Sequence, residues 1–164
     1  MITLRCTRRL LRRVGGISTI APSPSTTVLG DWHANLLMWR PQVIHCMNDR
    51  STLSVLVPAK ESAAFPNRLR IGLAKLLLRL GVAPEIVEAE VTAMGEVAIA
   101  PTNNRSILGC MRDAALAIEY AVESGKHFSL EELEMRLTTH IHGPTGYARP
   151  GELAVELLSK VAHA

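Results

Sequence analysis

Trp32–Pro58 reads WHANLLMWRPQVIHCMNDRSTLSVLVP, and this stretch decides the fold. Three short apolar runs, Asn35–Trp39, Val43–Met47 and Leu53–Val57, are separated by Arg40-Pro41 and by Asn48-Asp49-Arg50-Ser51. Turn formers at this spacing between β-favourable runs predict an antiparallel meander. In the last run Leu53, Val55 and Val57 share one face, and Ser54 and Leu56 share the other. Side chains alternate across a strand, so both faces of the sheet are expected to be at least partly covered.

Downstream the apolar period becomes helical. Leu69, Leu73, Leu76, Leu77 and Leu80 form one stripe of a helix over Asn67–Leu80, with Arg68, Gly72, Lys75 and Arg79 opposite. Gly81 ends that helix, and Pro84 opens the next, which runs to Met94 and buries Val87 and Val91. Glu96–Ala100 reads as one more strand. The longest helix spans Asn104–Ser124, with Ile107, Met111, Ala115, Ile118 and Val122 inward. Ser129 and Glu132 form a capping box for a further helix. A Gly/Pro linker over 140–149 leads to a last helix from Pro150 that buries Ala154, Leu157, Leu158 and Val161.

Upstream, Ile2–Cys6 reads as a strand, and Thr7–Val14 as a helix stopped by Gly15-Gly16. The same opening, with Arg5, Arg8, Arg9, Arg12 and Arg13 and no acid before Asp31, also has the composition of a mitochondrial transit peptide. Residues 21–30 form a polar connection expected to be flexible. The prediction is a single α+β domain over 1–164: a small, mostly antiparallel sheet packed with about five to six helices. The sheet comprises the N-terminal strand, the three-strand meander and the one later strand.

At 48% apolar and 20% charged, the chain is not a disordered one. Aromatics are 4%, which counts against reading single-stranded nucleic acid by base stacking. Residues 1–80 hold 12 Lys/Arg against 3 Asp/Glu, and residues 81–164 hold 6 against 12. Such a split suits either an anionic partner for the basic half or mutual pairing of the halves. Cys6, Cys46 and Cys110 are odd in number and widely spaced, which suits small buried thiols and a cytoplasmic location. No apolar run reaches the ~18 residues of a membrane span, so no membrane partner is expected.

Asp31-Trp32-His33-Ala34-Asn35 gathers an acid, an indole, an imidazole and an amide. Asp31, His33 and Asn35 point the same way on an extended strand, as a ligand site needs; a turn Asp and a core Trp explain the same residues. Asn104-Arg105-Ser106 opens the longest helix, where free N–H groups and the positive dipole end suit an anion, although capping alone also accounts for them. Arg68, Lys75 and Arg79, with Arg8, Arg9, Arg12 and Arg13, form a candidate phosphate-contacting basic face. His140 and His142 lack further ligands nearby and read as solvated loop histidines. No metal site, cofactor motif or catalytic set is expected.

Several of these segments resemble an uncharacterised bacterial family of unknown function, whose members occur alone or beside domains of plasmid- and transposon-associated proteins. The resemblance rests on Leu4-Arg5-Cys6-Thr7 with Leu10-Leu11, Leu29-Gly30-Asp31-Trp32 with Ala34-Asn35-Leu36, Val57-Pro58-Ala59, and Asn104-Arg105-Ser106 with Leu108-Gly109 and Met111. It covers nearly the whole chain and implies that the Arg-rich opening belongs to the domain. Where family members carry another aromatic, this chain has His33, which leaves Asp31 and Asn35 as the firmer part of their cluster. Arg112 stands where a smaller polar residue is expected. The expectation is a non-enzymatic binding or interaction module of a mobile-element or defence-type bacterial system, contacting nucleic-acid phosphate or a protein partner. The alternative is a small enzyme or anionic-ligand-binding protein, its site formed where Asp31–Asn35 meets Asn104–Ser106.

Overall fold

The computed structural model describes residues 1–162. Its elements run β1 (Ile2–Cys6), α1 (Arg8–Val14), β2 (Trp32–Leu37), β3 (Val43–Asn48), β4 (Ser54–Pro58), α2 (Phe65–Arg79), α3 (Pro84–Ala93), β5 (Val97–Pro101), α4 (Arg105–Glu123), α5 (Leu130–Leu137) and α6 (Pro150–Ala162). Short 3-10 turns occupy Ser62–Ala64 and Gly143–Thr145. The five strands form one sheet in the order β4-β3-β2-β1-β5.

β2, β3 and β4 make the antiparallel meander that the Trp32–Pro58 pattern predicts. β1, however, lies between β2 and β5 and is parallel to both, with Leu4 opposite Trp32 on one side and Ile99 on the other. The sheet is therefore mixed, which corrects the expectation of a mostly antiparallel one. A parallel neighbour requires the chain to return to the starting edge of the sheet. α1 and residues 15–31 make that return between β1 and β2, and α2 with α3 between β4 and β5. Pairing with β1 also explains why β2 starts at Trp32, ahead of the apolar run. It ends at Leu37, where Met38 turns out to solvent.

The alternation along the strands builds two cores. Ile2, Leu4, Trp32, Ala34, Ile44 and Val55 face Leu10 of α1, the leucines of α2, Val87 of α3, and Ala154 and Leu158 of α6. Leu37, Val43, Met47 and Leu56 face Ile107, Met111 and Ile118 of α4, and Leu133 and Leu137 of α5. Both faces of the sheet are covered by helices, as alternating burial in the last strand predicts.

Local signals place the helix ends. Gly15, at φ 93°, donates its N–H to Leu11 O and stops α1. The Ser129–Glu132 capping box is formed at α5. Residues 21–30 are fixed at their far end, where the N–H groups of Val28 and Leu29 both donate to the buried carboxylate of Glu90, each at 2.9 Å. The second stripe of α2 is not a plain solvated face: Gly72 sits directly on Val55 of β4.

Candidate functional site

Asp31 stands at the amino ends of the parallel strands. Its Oδ1 accepts the N–H of Thr3 at 2.9 Å, and its Oδ2 lies 3.9 Å from the Arg5 guanidinium, both side chains being largely buried. Trp32 points the other way and is 1% exposed in the first core. Asn35 lies four residues further along, about 13 Å at the rise of an extended chain. There its Oδ1 accepts the Thr7 hydroxyl at 2.9 Å, just beyond the end of β1.

Asn104 belongs to that same carboxyl edge. The N–H of Thr102 donates to Cys6 O, which joins the end of β5 to the end of β1. Two residues on, the Asn104 side chain accepts from the N–H groups of Ser106 and Ile107 and caps α4. Arg105 and Ser106 are exposed on the first turn. The fold thus brings Asn35 and Asn104 to one edge and leaves Asp31 at the other. Each of the three has an oxygen engaged in holding backbone or a neighbouring side chain.

Between the sheet and the second helical layer lies a set of buried histidines. His33 and His45 are 1% and 0% exposed, and Nδ1 of each has no hydrogen-bond partner among the described residues. His45 Nε2 is 2.8 Å from Ser54 Oγ. His142 is buried as well, with its ring 5.0 Å from that of His140, so the expectation of two solvated histidines is corrected. The linker folds back on itself: the Tyr147 N–H and the Thr145 hydroxyl both donate to His142 O. Burial pushes His33 and His45 down to about 4. The Arg5 charge adds to the effect at His33, against the pull of Asp31, and His142 adds to it at His45. Among the described residues, no group of three or more His, Cys, Asp or Glu is placed to hold a metal. The three thiols are free and buried, and burial raises Cys6 to about 12.

The basic residues separate into two kinds. Arg8, Arg9, Arg12 and Arg13 are all exposed on α1, and none forms an ion pair among the described residues. Arg68 bonds Glu61 at 3.1 Å and Pro58 O at 3.2 Å. Arg79 reaches Glu134 at 3.4 Å and Glu131 O at 3.1 Å. With Lys75 they line a groove of about 360 Å³ along the outer edge of β4. α1 packs instead over β2 and the 3-10 turn at Ser62–Ala64. Among the described residues the four α1 cations are thus without ion pairs, whereas Arg68 and Arg79 of α2 are tied to acids.

A larger cavity, about 540 Å³, opens where the β2–β3 turn, the last turns of α4 and the start of α5 meet. The walls include Trp39, Phe128 and Leu133, and Trp39 Nε1 donates to Glu119 at 3.1 Å. The sequence reading missed this site, because it depends on how α4 and α5 seat against the second face. The Trp39-Arg40-Pro41 turn was the one local signal of it. No helix among the described residues is long and apolar enough to cross a membrane.

No curated protein and no solved structure matches the chain. A family model does match it, over residues 3–153, which takes in the Arg-rich opening, all of the sheet but Ile2, and the start of α6. The chain belongs to the family described as Domain of unknown function (DUF6933).

Proposed function

We propose that this protein is a non-catalytic binding module whose α1 arginines contact a nucleic-acid phosphate backbone, in keeping with the mobile-element setting that the family resemblance implies. One observation carries the reading: Arg8, Arg9, Arg12 and Arg13 are exposed together on a two-turn helix with no acid in ion-pair reach among the described residues. Arg105, exposed at the start of α4, flanks the same carboxyl edge of the sheet. Guanidiniums suit bidentate contact with phosphate. The shortage of aromatics favours backbone contact with a duplex over base stacking.

Four phosphate contacts give a slope of log affinity on log salt of roughly −3.6, a loss of about a hundredfold between 50 and 200 mM salt. Electrophoretic mobility shift on a duplex of arbitrary sequence tests this across that range. R8Q/R9Q/R12Q/R13Q is expected to abolish retention, and R68Q/K75Q to leave it nearly unchanged. No retention of the wild type at about 50 mM salt excludes the reading.

A further inference from the structure

We propose that the cavity beside Trp39 is a docking site for a short segment of a partner protein that carries a bulky apolar side chain next to lysine or arginine. The cavity holds about 540 Å³, within the range of built ligand sites. Trp39 and Phe128 stand at its sides, and the buried side chains of Val43 and Leu133 belong to its apolar lining.

Charge selects the occupant. Glu119 and Glu123 stand one turn apart on α4, and both line the cavity. Like charges at this spacing destabilise a helix unless a cation joins them. No cation among the described residues does so: Arg40, which lines the same cavity, and the neighbouring Lys126 and Arg136 all lie outside ion-pair reach of both carboxylates. Arg136 instead stacks on the Phe128 ring at 4.3 Å. The Trp39 N–H holds Glu119 in place, fixing one carboxylate against the indole. An incoming ammonium or guanidinium is met by two unpaired acids while its apolar neighbour enters between Trp39 and Phe128.

Apolar surface also continues past the cavity. Met38 is 56% exposed and Tyr120 79%, on the turn before Trp39 and on the last turns of α4, beside the cavity's own Val122 at 47%. A segment of several residues covers this surface, and a single small molecule does not. Aromatic anchors set in a polar rim are the usual energetic centre of such contacts.

The test uses intrinsic fluorescence of the full chain, because Trp32 is fully buried elsewhere and Trp39 lines the site. The probes are an acetylated, amidated Lys-Phe-Leu-Lys peptide, its Glu-Phe-Leu-Glu counterpart and phenethylammonium. The basic peptide is expected to change the signal saturably in the wild type and not in W39F. Its affinity is expected to fall at least tenfold in E119Q/E123Q, where the side-chain amide oxygen still accepts the indole N–H. V122R, which sets a cation beside the acids, is expected to weaken it similarly. Equal binding of the acidic peptide overturns the charge argument. Phenethylammonium binding as tightly as the peptide makes this a small-molecule site and overturns the proposal. So does concentration-dependent dimerisation that peptide does not reverse, or no response to any probe from a folded chain.

Discussion

Glu134 of α5 closes the outer edge of β4: its carboxylate accepts the backbone N–H of Leu56 at 3.4 Å and faces Arg79 at 3.4 Å. An open edge strand presents unpaired N–H and C=O groups to any other chain, and a charged side chain turned onto that edge blocks such pairing. Arg68 does the same for Pro58 O two residues on. The α2 residues first read as a phosphate-contacting stripe therefore serve, in part, to seal the sheet.

Burial raises Glu134 to about 7, outweighing the Leu56 N–H and the Arg79 charge, which pull it down. A folded value above the unfolded one means that the stability this group adds is full below about 4.5. It is lost as pH rises through 7, at no more than about 1.4 kcal/mol per pH unit. E134Q is expected to remove that part of the pH dependence while keeping an acceptor for Leu56. E134A orphans the N–H and is expected to lose about 1–3 kcal/mol. Urea unfolding at pH 5, 6, 7 and 8 checks both, and an E134Q curve parallel to wild type refutes the assignment.

His33 and His45 act in the opposite sense. Their folded values are depressed to about 4 from 6.5, chiefly by burial. Their stability is present above 6.5 and is lost as pH falls through 4. Between 4.5 and 6.5 acidification therefore costs stability at His33 and His45 while it adds stability at Glu134. H45N is expected to reduce the acid slope by about one proton. An unchanged slope by circular dichroism across pH 4–6.5 counts against it.

Glu90 is 3% exposed and holds two consecutive backbone N–H groups of the segment entering β2. E90A leaves both donors without that acceptor, Leu29's buried and Val28's partly so, and is expected to destabilise by about 2–4 kcal/mol. E90Q, with one acceptor oxygen, is expected to lose about half of that. Amide exchange at Val28 and Leu29 should accelerate in the same order; protection retained in E90A contradicts the role.

At Gly72 an added Cβ would lie 2.8 Å from Val55 Cγ1. Alanine favours the helix by about 1 kcal/mol, but overpacking against a stiff β-branched partner costs about 1–3. G72A is expected to lower stability by about 1 kcal/mol and to cost less, or become favourable, in a V55A background. Additivity of the two changes in thermal unfolding would falsify the steric account.

Most elements were legible in the chain, because each rests on neighbours a few residues away. Gly15 stops α1, Ser129 and Glu132 cap α5, and the alternation of Val55, Leu56 and Val57 announces a strand covered on both faces. The pairing of β1 was not legible. β1 is parallel to β2 and to β5 because intervening residues carry the chain back across the sheet, and no residue of Ile2–Cys6 records which strands will flank it.

The candidate site divides in the same way. That Asn104 would cap α4 and that Trp32 would be core were local matters, readable from residue type and position. That Asp31 and Asn104 stand at opposite ends of the strands, that Arg68 and Arg79 are tied inward, and that Glu119 meets Trp39 across 80 positions were settled by packing. Side-chain periodicity encodes which face of an element is buried. What that face meets depends on contacts between residues far apart in the chain, and those exist only once the layers close.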